Sequence, residues 1–180
     1  MPKTDARVRY TKKVIKDVLL GLLKEKPLNK ITVKEICELA EINRATFYTH
    51  YQDPYHLLEQ IEDELLDEVA ETVTTTNQIK DLFPLIEKNI DLSRVLFSEN
   101  GDKMFLLRLM NSSREKSIAD LKRQYPKATK TQLEYFYEFS ASGSVAVIAQ
   151  WVKSGMKETP LELGDALEKL KTIWLEASVH

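Results

Sequence analysis

Apolar residues recur at helical spacing along almost the whole chain. Val14, Ile15, Val18, Leu19, Leu22 and Leu23 fall on one face of a helix predicted to begin at Thr11 and to end at Pro27. Val33, Ile36, Cys37 and Ala40 share the next face, and Thr32 with Glu35 three residues on predicts a capping box at its start. That short helix should stop near Glu41-Ile42, where Asn43 caps a second short helix from Arg44. Asp53-Pro54 then opens a long helix to about Thr74, with Leu57, Leu58, Ile61, Leu65 and Val69 along it. Thr74-Thr75-Thr76-Asn77 breaks the pattern. Helices follow at about 79–89, 92–98, 103–125, 130–154 and 161–177, with Asn100-Gly101, Tyr125-Pro126 and Gly155 at the joints. Thr159, Pro160 and Glu162 make a second capping box. The expected fold class is all-α.

Two short helices joined by a tight turn, over residues 31–51, carry the distinctive chemistry. Arg44, Thr46, Tyr48, Thr49, His50 and Tyr51 supply hydrogen-bonding groups and flat rings within about two turns. Ala45 is small enough for close approach to a surface, while Ile42 and Phe47 can anchor the unit. This is the composition of a helix-turn-helix, whose second helix lies in the major groove of DNA. Arg44 suits a guanine, Ala45 or the Thr46 methyl suits a thymine methyl, and Tyr48, His50 and Tyr51 suit phosphates.

The segment ITVKEICELAEINRATFYTHYQDPYHLL resembles the DNA-binding signature of the TetR/AcrR family of bacterial transcriptional regulators, over Thr11 to about Leu66. The resemblance implies operator contacts at Thr32 and at Asn43, Arg44, Ala45, Thr46, Tyr48, Thr49, His50 and Tyr51. It also implies a DNA-binding domain over 8–68 and a helical regulatory and dimerisation domain over 69–180. The family often has Gly where this chain has Glu41, and a phosphate-binding Lys where it has Pro54, so that last contact is not carried over. SGSVAVIAQWVKSGMKETPLELGDAL is similar, more loosely, to the ends of regulators of dihydroxyacetone kinase operons.

Charge adds polarity to this picture. The net charge of −2 divides unevenly: residues 1–56 hold 11 basic and 7 acidic side chains, and residues 57–180 hold 15 and 21. The N-terminal part is therefore the phosphate-facing end. Residues 1–10 lack apolar periodicity, so Lys3, Arg7 and Arg9 read as a basic arm or a frayed tail. Cys37 is the sole cysteine, which excludes an internal disulfide, and it reads as core. His50, His56 and His180 do not form metal spacing with it, so neither a metal nor another cofactor is expected. No apolar run reaches the ~20 residues of a membrane span, and the polar start is unlike a signal peptide, which predicts a cytoplasmic protein.

The two last helices point to pairing. In 130–154, Phe136, Phe139, Gly143, Val147 and Trp151 lie on one side, and Ala141, Val145, Ile148 and Val152 on another. A helix apolar on two sides is buried on two sides. With Leu163, Ala166, Leu167, Leu170, Ile173 and Trp174 on the final helix, a homodimeric four-helix interface is expected, and a dimer reads a palindromic operator. Phe83, Phe97, Phe105, Met110, Tyr135, Phe139 and Trp151 are candidates to line a pocket for a small-molecule effector, as the resemblance implies. The expected function is a homodimeric transcriptional repressor released by such an effector. The alternative is a regulator or coactivator controlled by a protein partner. No Gly-rich phosphate loop, metal cluster or nucleophile signature points to an enzyme.

Overall fold

Nine α-helices, and no strand, make up the described residues of the computed structural model, which are 3–75, 79–98 and 103–179. In order they are α1 (Lys3–Glu25), α2 (Val33–Leu39), α3 (Arg44–His50), α4 (Pro54–Thr75), α5 (Phe83–Lys88), α6 (Ile90–Leu96), α7 (Lys103–Gln124), α8 (Lys130–Lys153) and α9 (Pro160–Val179). Single 3₁₀ turns lie at Leu28–Lys30 and Ile79–Leu82. The chain divides into two compact units, one ending at Leu65 and the other beginning at Leu66. Among the described residues no helix is long and apolar enough to cross a membrane. The expected joints at Thr76-Asn77 and Asn100-Gly101 lie outside the described residues.

The first unit is built from α1, α2, α3 and the first part of α4. Ile15, Leu19, Leu22 and Leu23 of α1 are buried, as are Ile36 and Cys37 of α2, Phe47 of α3 and Leu57, Leu58 and Ile61 of α4. One element departs from the sequence reading. α1 begins at Lys3, eight residues before Thr11, so Arg7 and Arg9 are helical rather than an arm. Thr11 is an interior residue whose hydroxyl donates to the Arg7 carbonyl at 3.0 Å. Apolar periodicity misses such a stretch because charged residues with good helix propensity extend a helix already fixed by packing.

The second unit holds α5 to α9 and the last part of α4. One of its apolar clusters joins Phe83, Ile148, Trp151, Val152, Leu163 and Leu167, with Ile86, Phe97, Val147 and Met156 against it. A second joins Leu121, Ala128, Leu133 and Phe136. The expected helix 79–89 is a 3₁₀ turn followed by the short α5, because Pro84 has no N–H to continue a helix from upstream and sits well in a first turn. α7 and α8 are fastened by the Tyr137 hydroxyl donating to the Met110 carbonyl and by the Arg114–Glu138 ion pair. α8 and α9 both start in full capping boxes, Thr129 with Gln132 and Thr159 with Glu162. The first of these boxes is absent from the sequence reading.

Candidate nucleic-acid interface

The turn between α2 and α3 sets the direction of α3, and its geometry is specific. At the end of α2 the Ile42 N–H donates to the Cys37 carbonyl at 3.0 Å and the Glu41 N–H to the Glu38 carbonyl at 3.4 Å. This is the Schellman closure, which needs a left-handed residue between helix and turn. Glu41 occupies it with φ 52°. A side chain in that conformation costs about 1–2 kcal/mol. The start of α2 is only half a capping box. Thr32 accepts from the Glu35 N–H at 3.2 Å, but the Glu35 carboxylate is turned to Lys26 at 2.5 Å instead of returning to the Thr32 N–H.

α3 begins under a strong cap. The Asn43 Oδ1 accepts the Thr46 N–H at 2.7 Å and the Thr46 hydroxyl at 3.0 Å. Phe47 is fully buried and pins the helix, with the rings of Tyr48 and Tyr51 each 5.7 Å from its own. The opposite side of α3 is open to solvent. Arg44, Ala45, Tyr48 and Thr49 are exposed there, and Thr46 and His50 are half-buried. Asn43 and Thr32 are exposed at the two caps. Of the nine residues singled out in the sequence, eight thus sit at the surface, seven at the cap and along α3 and Thr32 at the start of α2.

Tyr51 is the exception. It was expected at a phosphate, yet only 6% of it is accessible. It stacks on Phe47 and lies against the rings of His50 and His56. Burial raises its phenol pKa above the ordinary value, with the charge of Glu64 adding to the effect. Its place is in the packing that carries α3, because it follows the helix in extended backbone that turns the ring inward. Cys37 is buried beneath the same unit, and burial raises its thiol pKa, partly offset by the positive charge of Arg44.

The residues expected around an effector separate into two groups. Phe83 and Trp151 meet edge to face at 5.7 Å inside the apolar cluster, and Phe97 packs against it. Phe105 is fully buried, and Met110 is half-buried. Tyr135 and Phe139, by contrast, are 70% and 61% exposed on α8. The period of the helix explains the split: 136, 148, 151 and 152 turn inward, while 135, 139, 143 and 146 form the outer stripe.

A capped helix-turn-helix preceding a larger helical unit defines a DNA-binding transcriptional regulator. The TetR C-terminal family model described as "Transcriptional regulator C-terminal region" matches residues 73–172, and the chain belongs to the TetR family. A curated relative, the "Uncharacterized HTH-type transcriptional regulator YxbF" of Bacillus subtilis (strain 168), is 21% identical over 154 residues, covering 81% of this chain. The match spans 40% of that relative's length. Among solved structures, a TetR transcriptional regulator from Streptococcus agalactiae 2603V aligns with TM-score 0.69 at 22% identity, over 93% of this chain and 97% of that one. The dihydroxyacetone kinase operon activator DhaS aligns with TM-score 0.65 at 19% identity and the same coverage. The fatty acid degradation regulator FadR of Bacillus halodurans aligns with TM-score 0.65 at 10% identity, over 89% and 94%. These likenesses share the all-α fold.

Proposed function

We propose that the chain acts as a homodimer that reads a palindromic operator with α3 and represses transcription until a small-molecule effector releases it. The observation that carries the reading is the open side of α3. A short helix, capped at Asn43 and pinned by the buried Phe47, presents Arg44, Ala45, Tyr48 and Thr49 outward. Such a helix suits the major groove, with Arg44 donating to a guanine and Tyr48, His50 and Thr32 positioned for phosphate oxygens. The DNA-binding domain is taken as 8–68 and the regulatory domain as 69–180.

Pairing is assigned to the outer stripe of α8 and to α9. Tyr135, Phe139, Gly143 and Ala146 are exposed on α8, and Ala166, Leu170 and Ile173 on α9. A stripe of aromatic and small residues left open to water is stabilised by a second copy of itself. The effector is taken to enter among Phe83, Phe97, Phe105, Met110 and Trp151. It acts by binding more tightly to one arrangement of the two reading helices, with α4 transmitting the difference, and linkage then makes operator DNA weaken effector binding by the same factor. A protein partner is the second reading, favoured by Met104 and Leu107, which are exposed on α7. The test is selection from random duplex DNA with the full chain, followed by footprinting and by sedimentation of the complex. Recovery of a palindrome bound by two chains supports the proposal. Recovery of no preferred sequence overturns it.

A further inference from the structure

The threonines of the helix-turn-helix divide by where their hydroxyl protons go. Thr32 uses its hydroxyl oxygen to accept the Glu35 N–H at 3.2 Å, which leaves its proton for an outside acceptor such as a phosphate oxygen. Thr46 gives its proton to the Asn43 Oδ1 at 3.0 Å. Thr49 gives its proton to the Ala45 carbonyl at 2.8 Å, the bond that turns a helical threonine hydroxyl against its own backbone. With the oxygen held there, the group that Thr49 directs outward is its methyl. Ala45 lies four residues earlier, so its methyl stands one turn away on the same exposed face.

We propose that Thr49 and Ala45 read the 5-methyl group of thymine in the major groove. This rests on the reading of α3 as the recognition helix and adds the base class that it selects. Thymine offers the groove an O4 acceptor and a methyl, whereas cytosine offers an N4 donor and no methyl. A threonine whose proton is already given away gains nothing from O4, but its methyl removes the thymine methyl from water. Arg44 adjoins Ala45 and is the exposed side chain of this face with a guanidinium fork for guanine N7 and O6. Each half-site therefore contains a guanine beside thymines, and discrimination at the thymines depends on a methyl group rather than on a hydrogen bond.

The experiment starts from the operator recovered by selection with the full chain. Each symmetric pair of thymines is replaced in turn by uracil, which removes the methyl and leaves every hydrogen-bonding group. At one pair, affinity should fall about fourfold per half-site and about fifteenfold for the duplex, the worth of one buried methyl group counted once and twice. Thr49→Val keeps the methyl and should keep the uracil penalty in full. Thr49→Ser keeps the hydroxyl, and should bind the thymine operator more weakly by that same factor and the uracil operator no worse than the natural chain does. Thermal unfolding of both variants separates binding from folding. Indifference to uracil at every position, or a Thr49→Val chain weaker than Thr49→Ser, overturns the methyl readout while leaving the recognition helix standing. A selection without any preferred sequence overturns both.

Discussion

Arg44 and Tyr51 sit seven residues apart at the two ends of α3, and their surroundings give them opposite work. Arg44 is exposed at the first position of the helix, with its guanidinium clear of the core. Arg44→Ala should weaken operator binding by about 1–3 kcal/mol and relax the preference at one symmetric pair of positions, read by competition between single-base operator variants. Unchanged affinity and preference would move the recognition residue elsewhere. Tyr51 belongs to the packing under the helix. Tyr51→Phe should therefore leave operator affinity unchanged, while Tyr51→Ala should cost roughly 3–5 kcal/mol of folding stability, the usual range for a large buried aromatic. Urea unfolding beside a binding titration distinguishes the two, and a Tyr51→Phe chain that folds normally but binds weakly would restore the phosphate contact. In the sequence both read as DNA contacts, Arg44 to a guanine and Tyr51 to a phosphate, since a tyrosine beside a recognition helix fits contact and packing equally. The difference comes from the extended backbone at residue 51, which no local pattern announces.

At the scale of elements, the caps and turns explain what was legible. Asn43 before Arg44 and Asp53 before Pro54 located the starts of α3 and α4, and the residues there make the bonds that cap chemistry requires. The start of α1 was not legible. Lys3 to Tyr10 shows no apolar stripe, and the helix there continues a packed one instead of being fixed by its own burial. The single helix read over 79–89 divides at Pro84, which sits in the first turn of α5 after a 3₁₀ turn. Periodicity put Phe139 on the same side of α8 as Phe136, but the two project about 60° apart, and that is enough to leave Phe139 exposed while Phe136 is buried. The α2–α3 turn offers a direct test. Glu41 holds a left-handed conformation that glycine adopts without strain. Glu41→Gly should raise stability by about 0.5–1 kcal/mol, the strain of ~1–2 kcal/mol less the extra unfolded-state freedom of glycine. A Glu41→Gly chain that unfolds at lower urea would show that this turn carries no such strain.

For the whole molecule the property to test is the proposed pairing. Gly143 is exposed on α8, and a side chain built there meets nothing within 4 Å in a single chain. Gly143→Leu should thus fold as well as the natural chain, or better by about 1 kcal/mol from helix propensity. At a dimer seam the same side chain forces the helices apart. Sedimentation should then move from about twice the 20.8 kDa chain mass to the chain mass itself, with operator binding lost alongside. A Gly143→Leu chain that remains paired would place the seam on another face.

The residues proposed to read DNA and the residues proposed to pair belong to different compact units, α3 to the first and α8 and α9 to the second. In a cell this separation becomes a matter of inheritance. A chain with Arg44→Ala keeps its pairing surface, so when it is made beside the natural chain it enters mixed dimers with one impaired reading helix. With equal synthesis and random pairing, about a quarter of the dimers retain two natural reading helices. The defect should therefore be dominant, whereas Gly143→Leu, which withdraws from pairing, should be recessive. A reporter gene behind the operator, in cells carrying both alleles, reads the difference directly.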